Sequence, residues 1–379
     1  MRKQFLLLSV MLLGTTAFAQ THYSTASNPE TFYPIGVYQQ PRKEILLPEV
    51  NGYTPYRVDL HTHTTYSGDG RMKVDARVQE AWRDGLDVVA LTDHMTFKVS
   101  NELSQLTPDE LKKNKGERPQ TAVDKAKKTA AELGLLLIPG VEITGSATTI
   151  GHYNALFTTD NHDIFDTDPI QCIRNARKQG ALIMHNHPGW RRQNLEMIEF
   201  EKAVYAEKLI DGIELMNTRD FYPRLLDRAK EHKLFVTATT DIHGTTAEIY
   251  GYNNHLRNMT IVFAKELSLE SMHESLKAHR TLAYSFGTLA GDEQLLKDFF
   301  LASVKTRKLS ENKKKKTSTI QLTNTTSLPF LFKTDGNPFM LPPLSSITIT
   351  VKSGKPINCT VLSMWYGVEK HPVVKLAYK

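Results

Sequence analysis

Short apolar runs alternate with amphipathic stretches from Tyr56 to His279, and this alternation constrains the fold more than any other feature of the chain. Val88–Thr92 has the length of a buried strand, whereas Val74–Asp84, closed by Gly85, has the periodicity of a helix. The other predicted strands are Arg57–Leu60, Leu135–Pro139, Tyr153–Phe157, Ala181–Met184, Gly212–Met216, Leu234–Thr239 and Met259–Phe263. The other predicted helices are Thr121–Leu133, Asp168–Lys178, Tyr222–His232 and Ser268–His279. Repeated strand–helix units favour a parallel sheet, either a barrel or a doubly wound sheet.

The N-terminus has the pattern of an export signal. Basic residues at positions 2 and 3 precede the apolar run Phe5–Leu13, and Ala17-Phe18-Ala19 follows as a cleavage box. This pattern predicts a signal peptide over residues 1–19 and a periplasmic or secreted protein. Residues 20–50, rich in Pro, Thr and Tyr, are expected to form an extended arm before a catalytic barrel over residues 51–309. No later segment has 18 consecutive apolar residues, so no transmembrane helix is expected.

The alternation ends at a charged segment. Residues 310–317 contain four consecutive lysines and are predicted to be a solvated linker. Residues 318–379 alternate Thr, Ile, Val and Phe, which is typical of strands, and predict a small β-sandwich-like domain. The four lysines account for most of the net charge of +6, so the rest of the chain is nearly balanced. An extended nucleic-acid footprint is therefore not expected.

Imidazole and carboxylate side chains recur directly after the predicted strands. His61 and His63 follow the strand Arg57–Leu60, and on an extended segment both would point to the same side. The other residues at strand exits are Asp69, Asp93, His94, Glu142, His152, His185, His187, Asp241 and His243. In a barrel, residues at these positions meet at the C-terminal face.

One His-x-His pair alone would fit an ordinary surface or core pair. Several such groups at the ends of successive units favour a shared metal site, because burying so many titratable groups is costly unless cations neutralise them. Imidazole and carboxylate ligands suit zinc, manganese or iron.

Five motifs follow one another along the chain. They are His61-Thr62-His63-Thr64-Thr65-Tyr66-Ser67-Gly68-Asp69-Gly70, Leu91-Thr92-Asp93-His94, Gly140-Val141-Glu142, His187-Pro188 and Asp241-Ile242-His243. In this order they resemble the motifs of the PHP (polymerase and histidinol phosphatase) superfamily, and the resemblance spans residues 56 to 290. The resemblance implies a distorted (β/α)7 TIM-like barrel that binds two or three divalent metal ions and hydrolyses phosphoesters.

The resemblance also implies nine metal ligands. Those expected to hold or bridge the more buried ions are His61, His63, Glu142 and Asp241. Those expected to complete the remaining positions are His94, His152, His187, Asp69 and His243. Many relatives have Ser-Asp-Gly where this chain has an additional Gly68, and this departure bears on Asp69. The His-Pro motif selects His187, which leaves His185 as a neighbour of the ligands or a substrate contact.

The expected mechanism follows from the charge of the ions. Two or three divalent cations would lower the pKa of a bridging water and supply a hydroxide nucleophile, with Asp241 among the catalytic ligands. His94 or His243 could give a proton to the leaving group as general acid.

Four residues are candidate substrate contacts. Arg191 and Arg192 follow His187-Pro188-Gly189-Trp190, where a guanidinium could clamp a phosphate, although an exposed loop pair fits the pattern equally well. Tyr66 could face the pocket or pack as an ordinary aromatic residue, and His185 is the fourth candidate.

The leading functional hypothesis is a phosphoesterase acting on a small phosphorylated molecule or a nucleotide. The same hydroxide could attack an amide or a lactone, because a fold does not determine its substrate. A metal-loaded binding protein without turnover is a third hypothesis, from another class.

Overall fold

A computed structural model describes residues 42–97, 103–252, 255–335 and 337–378. The predicted signal peptide and residues 20–41 of the predicted arm lie outside these ranges. Residues 42–50 of the arm are extended, with Leu46 exchanging a backbone hydrogen bond and a side-chain hydrogen bond with Ser327. Among the described residues, no helix combines the length and apolarity that a membrane span requires.

The N-terminal part contains strands and helices in alternation. Its strands are β1 (Thr54–Asp59), β2 (Val88–Leu91), β3 (His94–Thr96), β4 (Leu136–Thr144), β5 (His152–Leu156), β6 (Leu182–Asn186), β7 (Gly212–Asn217), β8 (Asp220–Phe221), β9 (Phe235–Thr239), β10 (Met259–Ala264), β11 (Thr281–Ser285) and β12 (Thr288–Gly291). Its helices are α1 (Val74–Arg83), α2 (Pro108–Leu133), α3 (Pro169–Lys178), α4 (Glu199–Ala206), α5 (Leu225–His232), α6 (Leu269–Lys277) and α7 (Glu293–Ser303).

These strands form one curled sheet in the order β10-β1-β2-β4-β5-β6-β7, with β9 paired to β7. Strands β1, β2, β4, β6, β7 and β9 run in one direction. Strand β5 is antiparallel to both of its neighbours, and β10 is antiparallel to β1. The α/β class and a curled sheet consistent with a TIM-like barrel are therefore confirmed, but a count of seven β-α units is not.

The interior of the curled sheet is filled by apolar side chains from opposite strands. They come from β1, β2, β4, β5, β6, β9 and β10, and α6 packs against the same cluster. The gap between β9 and β10 is bridged by Thr260, whose hydroxyl donates to the carbonyl of Ala238 and accepts from its N–H. The curled shape brings the C-terminal ends of β1, β6 and β9 to one end of the sheet, where the candidate ligands lie.

The C-terminal part forms two further sheets. Their strands are β13 (Val304–Asn312), β14 (Thr317–Asn324), β15 (Phe330–Thr334), β16 (Asn337–Leu341), β17 (Ser346–Lys352), β18 (Ile357–Val361), β19 (Met364–Trp365) and β20 (Val373–Leu376). One sheet has the order β13-β14-β17 and the other β16-β15-β18-β20, while β19 extends the large sheet by pairing with β12. Apolar residues of both small sheets pack in one cluster with Phe299 and Phe300 of α7.

The prediction of a linker at residues 310–317 requires correction. Strand β13 begins at Val304 and continues to Asn312, and β14 begins at Thr317. Lys313–Lys316 form the turn of this hairpin, and their solvent exposure explains why the sequence resembles a linker. The β-rich part therefore begins before the predicted boundary and continues directly from α7.

Candidate metal centre

All nine predicted ligands converge at the end of the sheet where the parallel strands finish. His61 and His63 follow β1, His187 follows β6, and Asp241 follows β9. The others are Glu142 in β4, His94 and His152 at the first residues of β3 and β5, and Asp69 and His243 in loops. Elements far apart in the sequence thus build one cluster, as the positions of these residues at strand exits predict for a barrel.

Glu142 lies at the centre of the cluster and is fully buried. Its Oε1 atom lies 3.3 Å from His61 Nε2, 3.1 Å from His152 Nδ1 and 3.7 Å from His187 Nε2. Its Oε2 atom lies 2.5 Å from His94 Nδ1. One carboxylate therefore contacts side chains from four different parts of the chain.

Asp241 is a second bridging carboxylate. Its Oδ1 atom lies 3.2 Å from His61 Nε2 and 3.0 Å from His63 Nε2, and its Oδ2 atom lies 3.7 Å from His187 Nε2. Glu142 and Asp241 thus face the same imidazoles from two directions, which is the arrangement expected of ligands shared between neighbouring ions.

Asp69 joins the cluster from its exposed side. Its Oδ1 atom lies 3.3 Å from His243 Nε2, and its Oδ2 atom lies 3.5 Å from His94 Nε2. Gly68 has a φ of 93°, a left-handed conformation that favours glycine, and the loop accommodates the additional residue there. The additional glycine does not move Asp69 away from the other candidate ligands.

Three overlapping sets of these side chains could each hold a cation, and the ligand atoms of each set lie within 4.8 Å of one another. The sets are His61–Glu142–His187, His61–His63–Asp241 and His63–His94–His243. The Nε2 atoms of His61 and His63 are buried, and no atom of the described residues forms a hydrogen bond of good geometry with them, although carboxylate oxygens lie 3.0 to 3.3 Å away. A buried polar atom without a partner is costly, and a bound cation would satisfy both nitrogens. The residues present therefore fit divalent metal ions.

The pKa values of these imidazoles, which the neighbouring carboxylates raise, also indicate a cation site. Burial lowers the pKa of His94, but Glu142 and Asp69 outweigh it and raise that pKa to about 10. Burial likewise lowers the pKa of His61, yet Asp241, Glu142 and Glu214 together raise it well above its usual value. The carboxylates therefore attract positive charge strongly, and protons supply it where cations do not.

His63 differs from its neighbours. Burial and the nearby imidazoles of His94 and His243 lower the pKa of His63 well below its usual value. The ring is therefore neutral at pH 7, and its Nδ1 atom lies 2.8 Å from the hydroxyl of Ser67. A neutral imidazole with one nitrogen held by a hydroxyl is ready to bind a cation through the other.

The structure separates His185 from His187. Residues 182, 184 and 186 of β6 face the sheet interior, so residues 183 and 185 face the surrounding helices. His187 has a left-handed φ of 25°, which turns its side chain back towards the cluster. His185 instead lies 3.1 Å from the Tyr205 hydroxyl and 3.2 Å from Glu201, so the prediction that it contacts substrate is corrected.

Two other predicted substrate contacts also lie away from the cluster. Arg192 forms a buried ion pair with Glu201 and donates to the backbone of Glu196, so its guanidinium is already bound within the protein. Tyr66 lines a separate surface groove beside Lys125. These placements correct the predictions for Arg192 and Tyr66, whereas Arg191 lines the cleft over the candidate ligands.

The cleft has a volume of about 720 Å³. Asp69, His94, His152, His187, Asp241 and His243 line its floor, and the segment 144–148 and Trp190 line its walls. Arg191 covers the indole of Trp190, with its guanidinium carbon 4.4 Å from the ring centroid. The candidate ligands are therefore accessible from solvent through a cleft that carries one arginine at its rim.

Sequence reasoning missed Glu214 and did not assign a role to Asp93. Glu214 is fully buried in β7, and its Oε1 atom lies 3.0 Å from His61 Nδ1. Asp93 accepts hydrogen bonds from the backbone of Thr64 and the hydroxyl of Ser67, so it supports the loop that carries His63. A carboxylate within the apolar run Gly212–Met216 was the available signal for Glu214.

Comparisons with known proteins agree with this geometry. The model of the PHP domain family matches residues 59–292, more than half of the chain. A structure from Bacteroides vulgatus, described as a two-domain protein containing a predicted PHP-like metal-dependent phosphoesterase, is 30% identical, with a TM-score of 0.77. The match covers 88% of this chain and 98% of that protein.

Two other structures match over shorter stretches. A putative metal-dependent phosphoesterase from Bifidobacterium adolescentis is 18% identical over 50% of this chain and 88% of its own, with a TM-score of 0.36. An amidohydrolase from Chromobacterium violaceum, with bound sulfate and no metal, is 14% identical over 51% and 89%, with a TM-score of 0.34. Curated proteins gave no significant match. The family match over residues 59–292 and the similarity along nearly the whole Bacteroides vulgatus protein show that this chain belongs to the PHP domain family.

Proposed function

We propose that this protein is a metal-dependent phosphoesterase that hydrolyses a small phosphorylated molecule or a nucleotide. The observation that carries the proposal is the meeting of nine imidazole and carboxylate side chains in one cluster, six of which line an open cleft while His61, His63 and Glu142 lie buried beneath it. Within the described residues, the buried Nε2 atoms of His61 and His63 form no hydrogen bond of good geometry, although carboxylate oxygens lie 3.0 to 3.3 Å away. The Bacteroides vulgatus relative, described as containing a predicted PHP-like metal-dependent phosphoesterase, supports the choice of reaction.

The proposed inner ligands are His61, His63, Glu142, His187 and Asp241. Asp69, His94, His152 and His243 would complete the outer positions, so that the cluster holds two or three ions of zinc, manganese or iron. When bound, such ions activate water for attack at neutral pH and neutralise the charge of a phosphoryl group.

His94 and His243 have one of two roles, depending on how many ions are held. Their Nε2 atoms lie 3.3 Å apart beside Asp69 at the cleft. Burial lowers the pKa of His243, but Asp69 and Asp241 raise it above its usual value, as carboxylates do for His94. With three ions both residues are ligands, whereas with two ions one of them holds a proton that it can give to the leaving group.

The walls of the cleft provide the proposed substrate contacts. Arg191 can rotate from the face of Trp190 and reach phosphoryl oxygens with two parallel N–H donors. Trp190 is 38% exposed and contacts the rings of His152 and His187, so it shields the inner ligands from water on that side.

The N-terminal pattern of residues 1–19 supports a second proposal, which is that the protein is exported. In that case it would act on phosphorylated compounds in the periplasm or outside the cell.

Hydrolysis of an aryl phosphate tests the proposed activity. Purified full-length protein with added Mn²⁺ should release phosphate, and a chelator should stop the reaction. Asp241→Asn should lower kcat by at least about a thousandfold, because it removes a charge that contacts His61, His63 and His187. Asp124→Asn, the same change on the exposed face of α2, is the matched control and should leave the rate unchanged. Full activity in Asp241→Asn would end the hypothesis.

A further inference from the structure

Glu214 is a buried carboxylate that belongs to none of the three cation-binding sets described above. It lies in β7, is fully buried, and does not line the cleft. A buried carboxylate is costly unless donors or cations surround it, so its contacts indicate what it does.

Four donors surround the Glu214 carboxylate. Its Oε2 atom accepts from the backbone N–H of His187 at 2.6 Å and from the side-chain amide of Asn217 at 2.9 Å. Its Oε1 atom accepts from the hydroxyl of Thr239 and lies 3.0 Å from His61 Nδ1. Because the carboxylate can only accept, the contact with His61 requires the hydrogen to be on Nδ1.

This contact determines which nitrogen of His61 is available. With hydrogen on Nδ1, the lone pair of Nε2 points towards Glu142 at 3.3 Å and Asp241 at 3.2 Å. A carboxylate behind a metal-binding imidazole typically fixes the ring orientation in this way and increases its basicity.

The second contact acts on the backbone of another candidate ligand. His187 has a left-handed φ of 25°, which is unfavourable for a residue with a side chain. The hydrogen bond from its N–H to Glu214 holds this conformation, and the conformation directs the imidazole into the cluster. Both contacts concern the set His61–Glu142–His187, and the contact with His61 also concerns His61–His63–Asp241, whereas neither concerns His63–His94–His243.

We propose that Glu214 is a positioning residue for the innermost cation site, which it builds by selecting the tautomer of His61 and holding the backbone of His187. The inference rests on the metal site in the proposed function, but not on the identity of the substrate. Glutamine cannot replace Glu214. Each carboxylate oxygen accepts from two donors, and the amide nitrogen of glutamine, which is itself a donor, would face one of these pairs.

Metal binding by full-length Glu214→Gln tests this role directly. Mn²⁺ titration by calorimetry, with elemental analysis after dialysis, should show that the tightest site weakens by roughly 10- to 100-fold. At least one tightly held ion per chain should be lost, while one weaker site, formed by His63, His94 and His243, keeps its affinity. A general loss of stability would weaken all sites together, so the selective loss distinguishes positioning from a merely structural role.

Asp211→Asn is the matched control. Asp211 directly precedes β7, the strand that carries Glu214, and is a partly buried carboxylate near the other end of that strand. It forms an ion pair with Arg177 and accepts a hydrogen bond from the backbone N–H of Ile183. Its replacement should leave the number of ions and their affinities unchanged.

Unchanged ion number and affinity in Glu214→Gln would overturn the proposal. If that variant does not fold, Thr239→Val serves in its place, because it removes one donor to Oε1 and retains the carboxylate. It should weaken the tightest site several-fold, and wild-type affinity would overturn the proposal. A wild type that binds metal without hydrolysing phosphoesters would refute only the proposed function.

Discussion

Arg191 and Arg192 are adjacent in the chain but have different surroundings. Arg191 is exposed, has a left-handed φ of 54° and covers Trp190 at the rim of the cleft. Arg192 has a side chain that is 8% exposed and forms an ion pair with Glu201, which also contacts His185. The first residue is therefore placed to meet substrate, and the second to connect the loop after β6 with α4.

Alanine at the two positions should affect different properties, which are substrate binding for Arg191 and stability for Arg192. Arg191→Ala should raise KM for an aryl phosphate by about tenfold, the effect of losing one charged contact, without changing stability. Arg192→Ala should lower the free energy of unfolding by about 3 kcal/mol, because it leaves Glu201 buried without its cation. Steady-state kinetics and urea denaturation measure the two effects. An unchanged KM in Arg191→Ala, or unchanged stability in Arg192→Ala, would contradict these assignments.

Most members of the cluster could be predicted from the sequence. The failure of the prediction at His185 and His187 has its cause in the backbone. Strand periodicity correctly indicates that His61 and His63 lie together, but it fails for His185 and His187. The left-handed φ of His187 reverses the expected side, and no sequence pattern predicts that conformation for histidine. Glu214 was missed because its role depends on contacts with residues from three other segments.

At the scale of the elements, the junction of β9 with β10 supports the loop that carries Asp241 and His243. Thr260 exchanges two hydrogen bonds with the backbone of Ala238, at 3.0 and 3.1 Å. The hydroxyl of Thr281, in the next strand β11, accepts a bond from the backbone N–H of Val236 at 3.2 Å. Threonine hydroxyls of β10 and β11 thus provide hydrogen bonds to β9.

Thr260→Val should weaken this junction. Valine has nearly the same shape but leaves the buried N–H and carbonyl of Ala238 without this partner, so the free energy of unfolding should fall by about 2 kcal/mol. Chemical denaturation provides the measurement. Thr348→Val, an exposed position in β17, is the control and should change stability by less than about 0.5 kcal/mol. Equal stability of both variants would show that the hydroxyl contributes little.

The existence of most elements could be predicted, whereas several boundaries could not. Helix α2 begins at Pro108, well before the predicted start at Thr121, because Thr107 and Glu110 form a capping box and the helix accommodates Pro119. The run Lys313–Lys316 resembles a linker, yet cross-strand pairing of β13 with β14 makes it a turn. Tertiary pairing, which a local pattern does not contain, decided the second case, whereas the capping box of the first is a local signal.

At the scale of the whole molecule, the α/β part and the C-terminal sheets share one apolar core. Phe300 of α7 contacts Phe330 and Phe332, with ring centroids 5.2 and 6.1 Å apart. Strand β19 pairs with β12 of the large sheet. The C-terminal sheets therefore complete the hydrophobic core that α7 and the large sheet begin.

A chain that ends at Leu309 should not fold stably. The truncation exposes Phe299 and Phe300 and removes β19, one of the two strands that pair with β12, so the loss exceeds the usual stability of a domain, about 5–15 kcal/mol. Thermal unfolding followed by circular dichroism should show no cooperative transition near the wild-type temperature. A cooperative transition at that temperature would show that the α/β part is independent.

Elemental analysis of the purified full-length protein is the sharpest test, because the proposed activity and the proposed role of Glu214 both require His61, Glu142, His187 and Asp241 to share divalent cations. After growth with zinc, manganese and iron and dialysis against metal-free buffer, the wild type should retain two or three divalent ions per chain. A protein that retains none, and that takes up none when the same metals are added at micromolar concentrations, would refute the metal site.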